Sequence, residues 1–163
     1  MATRDGPGPP SAHREGAAWN MRSTLKREGG TEMHPNEELA RSEMEATQRG
    51  DMEGMLAHYS DDVVFHYPGR NVLSGTHRGK DALRRWMDGF GVILGERGAL
   101  TRTSHDVVAG DDHVVSLIAV DARRTDGRAA RWNAAFVMHV SEGKICELWA
   151  HIDDPYAVDH LLA

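Results

Sequence analysis

Hydrophobic positions recur at helical spacing in the first part of the chain and alternate with polar positions in the second part. One helical pattern begins at Pro35 and ends at Gly50, and a second, shorter one follows from Asp51 through Tyr59. The clearest helix begins after Gly79 and ends before Gly95, a stop signal. Its apolar stripe consists of Leu83, Trp86, Met87, Phe90, Ile93 and Leu94. Three helices are therefore predicted in this part of the chain.

Alternating stretches predict strands between these helices and after them. A short run from Tyr59 ends at Pro68, which lacks the backbone donor that a continuing strand needs. A second short run follows the turn at Arg70-Asn71. Four further runs, separated by tight turns or short links, cover residues 100–108, 113–124, 131–140 and 144–152. Short turns join antiparallel neighbours, and Asp154-Pro155 then opens a final helix. This order predicts an α+β fold in which N-terminal helices pack against a curved, mainly antiparallel sheet.

Groups suited to acid–base chemistry stand at the end of the first strand and on the first helix. His66 and Tyr67 close the strand beside a turn, where side chains can face a cavity. They are adjacent, so on a regular strand only one of them faces inward. On the first helix, spacing places Glu43 on a weakly apolar inner face.

The last strand has two different faces. One carries Cys146, Leu148, Ala150 and Ile152. The other carries Ile145, Glu147 and Trp149, with His151 and Asp153 at its far end. The second face has the mixed character that a partly polar pocket mouth needs. An alternative is that His151 only caps the sheet edge and Asp153 serves the final helix.

The N-terminal residues differ in composition from the rest. Residues 1–32 are rich in Gly, Pro, Arg, Glu and Ser, and apart from methionines their only large apolar residues are Trp19 and Leu25. Such a segment buries too little apolar area to offset the entropy lost on ordering. We therefore predict a disordered extension over 1–32 and one folded domain over 33–163, with Met33 as an alternative start.

Charge and cysteine content restrict the partners and the compartment. A net charge of −6 argues against nucleic acid and anionic membranes, because both attract clustered Lys and Arg. No apolar run approaches the roughly 20 residues of a membrane span, and no secretory signal is visible. The single cysteine, Cys146, has no internal partner and is expected to be a small core residue. We expect a cytoplasmic protein.

Other chemical motifs are weak. No pair among the ten histidines shows the i, i+4 helical spacing of a zinc site, and no glycine-rich phosphate loop follows a strand. We therefore predict neither a metal nor a cofactor. The arginines that flank one hairpin are expected at a solvated tip: Arg123, Arg124, Arg128 and Arg131.

Several motifs follow one another in an order typical of one superfamily. They are Gly50-Asp51 after the first helix, YSDDVVFHYPG, LSGTHRGKDAL, the strand meander and GKICELWAHIDD. In this order the chain, over roughly residues 35–163, resembles the nuclear transport factor 2-like superfamily, and within it the SnoaL-like branch related to polyketide cyclases and ketosteroid isomerases. The resemblance implies a cone-shaped fold around a deep apolar pocket, and a homodimer formed through the outer sheet face. It does not specify an activity, because this fold hosts isomerases, dehydratases, epoxide hydrolases, cyclases and non-catalytic binders.

The resemblance to ketosteroid isomerases fails at the catalytic positions. Those enzymes place a general-base Asp immediately before the proline of the first strand, where this chain has Tyr67. They place an oxyanion-binding Tyr in the first helix, where this chain has Glu43. Their mechanism needs a carboxylate base and a separate neutral donor, so these differences argue against steroid isomerisation.

A different acid–base set remains. The catalytic candidates are His66, Tyr67, His151, Asp153 and Glu43. A His paired with a carboxylate moves protons near neutral pH, and a Tyr can donate a hydrogen bond to a developing oxyanion. Aromatic residues are mostly expected in the core, and the substrate-binding candidates among them are Trp86, Phe90, Phe136 and Trp149.

Two classes of function stay open. The first is a cofactor-independent isomerase, dehydratase or cyclase acting on a small apolar or aromatic carbonyl compound. The second is a non-catalytic module that binds a metabolite or forms a dimer. If the protein is an enzyme of the first class, we expect a His and a carboxylate within hydrogen-bond reach of each other in one enclosed cavity. If the protein is a binding module, we expect an almost wholly apolar cavity with the polar residues turned outward.

Overall fold

The computed structural model describes residues 32–163. The predicted N-terminal extension lies outside the described residues, apart from Glu32. Four helices are present in the described part: α1 (Pro35–Gln48), α2 (Met52–Leu56), α3 (Lys80–Leu94) and α4 (Pro155–Leu162). The six strands are β1 (Tyr59–Tyr67), β2 (Gly75–Arg78), β3 (Ala99–Ala109), β4 (His113–Arg123), β5 (Ala129–Ser141) and β6 (Lys144–Ile152). Both sets follow the predicted order of elements.

Local capping explains where α2 and α4 begin. Asp51 Oδ1 accepts from Gly54 N at 2.8 Å, and Asp154 Oδ1 accepts from Ala157 N at 2.9 Å. The sequence pattern extended α2 through Tyr59, and this was wrong. The helix ends at Leu56, and Tyr59 is the first residue of β1. Tyr59 lies at helical spacing from Met52 and Met55, but its side chain is buried as the first residue of a strand. A buried position alone does not distinguish a helix from a strand.

The strands form one sheet in the order β2-β1-β6-β5-β4-β3. All neighbouring pairs are antiparallel except β1 and β6, which are parallel. Helix α1 packs on β3 and β4, α3 packs on β1 and β2, and α4 packs on β5. The predicted α+β fold with a curved, mainly antiparallel sheet is therefore confirmed.

The register separates the two faces of the sheet, because residues directly opposite each other share a face. One row on the inner face consists of Phe65, Leu148, Met138 and Val114, all of them buried. The neighbouring row on the outer face consists of His66, Trp149, Val137, Val115 and Val108. The inner face therefore provides the core, while the outer face keeps a continuous, partly exposed row of mostly apolar side chains.

A bulge in β6 changes the predicted faces of that strand. Val140 pairs with Ile145 and His139 pairs with Glu147, so Cys146 is an extra residue with no opposite partner. As a result Ile145 is fully buried, whereas Cys146 is partly exposed rather than a core residue. From Glu147 onward, successive side chains of β6 alternate between the two faces as predicted.

Two of the four hairpin arginines do not lie at a solvated tip. Arg124 Nη1 donates to Leu161 O at 2.9 Å and to Ala163 O at 2.8 Å. Arg128 Nη1 donates to Ala163 O at 2.6 Å. These guanidinium groups bind carbonyl oxygens at the end of α4 that have no partner within the helix. No helix within residues 32–163 combines the length and the apolar content that crossing a membrane requires.

Candidate functional site

A cavity of about 60 Å³ lies between the inner face of the sheet and helices α1, α2 and α3. Its walls come from eight of the ten described elements, since side chains from α1, α2, α3 and from five of the strands reach it. The lining residues include four methionines and four aromatic side chains: Met44, Met55, Met87, Met138, Tyr59, Phe65, Trp86 and Phe136. Methionine side chains are flexible and polarisable, so this wall can adapt to ligands larger than the empty space.

Helix α1 is held so that Glu43 faces this cavity. Asn36, near the start of the helix, donates from Nδ2 to Gly110 O and Asp111 O, each at 2.8 Å. These bonds fix α1 to the turn between β3 and β4. Along the same helix face, Ala40 and Ala46 are each 1% exposed, and their small side chains let the helix approach the sheet closely. Glu43 lies between them and is 9% exposed.

The Glu43 carboxyl has two hydrogen-bond donors. Tyr59 OH donates to Glu43 Oε1 at 3.0 Å, and Thr47 Oγ1 donates to the same oxygen at 3.0 Å. Tyr59 is 4% exposed and stands at the start of β1, so strand and helix together orient the carboxyl. Because both bonds fall on Oε1, Oε2 is left to carry or exchange a proton.

Burial dominates the electrostatics of this pair. It raises the pKa of Glu43, and the hydrogen bonds from Tyr59 and Thr47 and the charges of Arg102 and His58 only partly counteract this. The pKa of Tyr59 is raised as well, by burial and then by the Glu43 carboxylate. Glu43 therefore keeps its proton to a higher pH than an exposed glutamate, which suits proton transfer near neutral pH.

Arg102 is the second charged group on the cavity wall, and the sequence analysis did not single it out. It lies on the edge strand β3, paired with Val120, which is 3% exposed. Burial lowers the pKa of Arg102, while the charge of Glu43 raises it. An arginine stays protonated in proteins, so the cavity contains a permanent cation. The signal in the sequence was the alternation of Leu100 and Arg102 in an otherwise polar run.

Three of the predicted site residues do line the cavity: Glu43, Trp86 and Phe136. Trp86 Nε1 donates to Leu73 O at 3.1 Å, so its polar atom is satisfied and only its ring contributes to the wall. Phe90 lies beside a neighbouring cleft instead. Of the adjacent residues His66 and Tyr67, it is Tyr67 that faces inward. Its ring packs against Trp86 at a centroid distance of 4.8 Å. Burial raises the pKa of Tyr67.

His66 and Trp149 are on the opposite face of the sheet. Their rings stack with centroids 5.5 Å apart and planes 8° from parallel. His66 Nε2 lies 2.8 Å from Glu147 Oε1, so a histidine–carboxylate pair does exist in this protein. It is formed with Glu147 and stands outside the cavity, because the register places His66, Glu147 and Trp149 on the face opposite Phe65 and Leu148.

His151 and Asp153 also lie away from Glu43. His151 is exposed and pairs with Ala135 on the outer face. Asp153 accepts from Asn133 N at 2.8 Å and from Asn133 Nδ2 at 2.7 Å. Asp153 thus ties the end of β6 to β5 rather than to α4. The face of β6 that was expected to form a pocket mouth does not border this cavity, which β6 lines through Leu148 on its other face.

A second space adjoins the cavity. This cleft, of about 260 Å³, lies between the C-terminal half of α3 and the start of β3. Met87 and Arg102 border both spaces. Within residues 32–163, no three His, Cys, Asp or Glu side chains come together as a metal ion would require.

Comparisons with known proteins agree with this architecture. A family model described as the SnoaL-like domain matches residues 40–148. An uncharacterised protein from Mycobacterium tuberculosis (strain H37Rv) is 27% identical over 127 residues, which cover 77% of this chain and 95% of the relative.

Two solved structures illustrate the likeness in fold. A nuclear transport factor 2-like protein from Burkholderia xenovorans LB400 has a TM-score of 0.69 and 24% identity, covering 82% of this chain and all of its own. TerC, co-crystallised with polyporic acid, has a TM-score of 0.69 and 20% identity, covering 79% of this chain and 98% of its own. Because the family model spans more than half of the chain, this protein belongs to the SnoaL-like domain family and has the nuclear transport factor 2-like fold.

Proposed function

We propose that the protein binds a small apolar carbonyl compound in the inner cavity and acts on it by cofactor-independent acid–base chemistry. The reaction class is that of an isomerase, a dehydratase or a cyclase. One observation carries the proposal: a buried carboxyl, Glu43, faces an otherwise largely apolar cavity and is oriented by two hydrogen bonds to one of its oxygens. A carboxyl in such surroundings is suited to exchange a proton with a bound ligand.

The proposed chemistry uses the free oxygen of Glu43. As a carboxylate, Glu43 takes a proton from the carbon next to the ligand carbonyl, and the electron pair of the C–H bond passes to the carbonyl oxygen. The protonated Glu43 then returns the proton at another carbon or to a leaving hydroxyl group. Tyr59 and Thr47 act as positioning residues, since they hold Oε1 and so aim Oε2. His66, His151 and Asp153 have no part in these steps.

Deuterium exchange tests this chemistry without knowledge of the natural substrate. The probe is 2-acetonaphthone, an apolar aryl ketone whose methyl protons are replaced by deuterium when it enolises in D₂O. Mass spectrometry follows the exchange with the wild-type protein and with Glu43→Gln. We expect the variant to lose the protein-dependent exchange by a factor of about 100, the usual contribution of a general acid–base group. Glu38→Gln, an exposed glutamate on the same helix, is the matched control and should not change the rate.

The alternative is a non-catalytic binding module, and the mostly apolar wall favours it. TerC, the neighbour co-crystallised with polyporic acid, supports binding of a small molecule by this fold. Binding of 2-acetonaphthone without any exchange above the protein-free rate would favour this alternative over the enzyme.

The outer sheet face supports the expectation of a homodimer. Its apolar row runs across five strands, and on this face Val108 is 58% and Leu117 is 39% exposed. A flat apolar face of this kind can pair with the same face of a second copy by twofold symmetry. The pair of His66 and Glu147 lies within it. A cytoplasmic location stays a prediction from the sequence.

A further inference from the structure

We propose that the ligand of the inner cavity carries an anionic group, such as a carboxylate, and that Arg102 binds this group. The inference rests on the proposed function, because it names the ligand class of the same cavity. It concerns binding only, and it holds for an enzyme and for a non-catalytic module alike.

The guanidinium of Arg102 has no partner in the part of the chain that the structure describes. The one hydrogen bond between Arg102 and another residue's side chain is accepted by its backbone carbonyl, from Gln48 Nε2 at 3.4 Å. Glu43 is the carboxylate on the same cavity wall, and its oxygen Oε1 is taken by Tyr59 and Thr47 instead. Within residues 32–163, the N–H donors of Arg102 are therefore left for a ligand.

Arg102 is partly buried, so its charge is partly removed from water. A charge moved away from water loses solvation, and the loss is recovered only by a partner with opposite charge or by hydrogen bonds. Several other arginines of this protein have such partners. Arg131 pairs with Asp121, and Arg124 binds the carbonyl oxygens at the end of α4. Arg102 differs from them, and an anionic ligand group would supply the missing partner.

The position of Arg102 also suits a ligand that enters from outside. Arg102 and Met87 are the two residues that border both the inner cavity and the cleft between α3 and β3. Met87 has a flexible side chain and so does not form a rigid barrier between the two spaces. A ligand can then place its apolar body against Trp86 and Phe136 while its charged end stays at Arg102.

The geometry of arginine favours a planar anion. Its guanidinium forms paired, parallel hydrogen bonds with the two oxygens of a carboxylate, which a single carbonyl oxygen cannot accept. The remaining wall is mostly apolar and aromatic, and so selects a compact hydrophobic body. The expected ligand class is an aromatic or alicyclic carbonyl compound that also carries a carboxylate.

Two probes of nearly the same shape test the inference. 2-Naphthoate carries a carboxylate where 2-acetonaphthone carries a neutral acetyl group. We expect isothermal titration calorimetry to show that the wild-type protein binds 2-naphthoate about tenfold more tightly, as a charge-assisted hydrogen bond predicts. Arg102→Met keeps the length and apolar stem of the side chain, and should abolish this preference while leaving the affinity for the ketone within a factor of about three.

Two further variants separate charge from packing. Arg102→Lys keeps the cation and should retain part of the preference, even if Arg102→Met folds poorly. Arg123→Met removes an exposed arginine from β4 and should change nothing. Equal affinity of the wild-type protein for both probes, or equal weakening of both by Arg102→Met, would overturn the inference and leave the proposed function standing. If the wild-type protein bound neither probe, the proposed function would fail together with the inference.

Discussion

Glu43 shows how a single residue can be predicted while its surroundings cannot. Helical spacing placed it on the inner face of α1, and the structure agrees. Its donor Tyr59 was assigned to a helix by the same kind of spacing and belongs to β1. Arg102 was missed because one apolar neighbour, Leu100, is too short a pattern to show that a charged side chain faces inward. Both side chains line the same cavity as Glu43, and they come from other elements, β1 and β3.

The raised pKa of Glu43 makes the stability of the protein depend on pH. Folding raises the pKa of this acid, so the folded state holds the proton more tightly than the unfolded state. Its contribution to stability is therefore fully present below the ordinary pKa of glutamate. The contribution is lost as the pH rises from that value through the raised pKa, because the unfolded chain ionises first.

Glu43→Gln should remove this dependence while keeping an oxygen that accepts from Tyr59 and Thr47. Urea unfolding of both proteins between about pH 4 and pH 8, the range over which a raised carboxyl pKa is expressed, measures the difference. We expect the free energy of unfolding of the variant to rise relative to the wild-type value as the pH increases. A difference that stays constant with pH would mean that folding does not raise the pKa of Glu43. The control is again Glu38→Gln.

At the scale of elements, the alternation of apolar and polar residues predicted the strands but not their irregularities. The bulges at Cys146 in β6 and near His105 in β3 each insert a residue that the partner strand does not match. Such an insertion depends on the register between two strands, which no single stretch of sequence contains. A histidine–carboxylate pair was expected in the pocket, but the pair in this protein lies on the outer face of the sheet. The sequence does not show which face of β1 and β6 meets the helices, because long-range packing decides this.

Helix α4 depends on the arginines of the β4–β5 hairpin. Arg124→Ala should lower the free energy of unfolding by about 1–2 kcal/mol, because two hydrogen bonds to Leu161 O and Ala163 O are lost. Chemical denaturation measures this loss. The neighbouring exposed Arg123 provides the matched control, and Arg123→Ala should stay within about 0.5 kcal/mol of the wild-type value. Equal effects of the two substitutions would contradict the assigned role of Arg124.

At the scale of the whole molecule, most of the architecture followed from the sequence. Element order, tight turns and the resemblance to SnoaL-like proteins together predicted the α+β fold that the structure shows. The cavity was harder to predict, because its wall combines residues from all three N-terminal helices and five strands. Only Glu43, Trp86 and Phe136 of the predicted site residues reach it. Long-range packing decides such a set, and local patterns do not report it.

The outer sheet face leads to a prediction about assembly. If two copies pair through this face, Leu117→Asp places a charge inside the interface and should convert the dimer to a monomer. Light scattering after gel filtration measures the mass directly. Val92→Asp, a substitution at an 80% exposed residue of α3, is the matched control and should leave the mass unchanged. A wild-type protein that is monomeric, or a Leu117→Asp variant that remains dimeric, would contradict pairing through this face.

The central claim is that ligands bind in the inner cavity and not at the histidine–carboxylate pair on the outer face. The chain contains eight methionines, and four of them line the cavity: Met44, Met55, Met87 and Met138. We would label the methionine methyl groups with ¹³C, assign the signals by single Met→Leu substitutions, and titrate the protein with 2-naphthoate. We expect these four signals to shift and the signal of Met33, which is 49% exposed, to stay unchanged. If 2-naphthoate bound and left all four signals in place, the inner cavity would not be the ligand site.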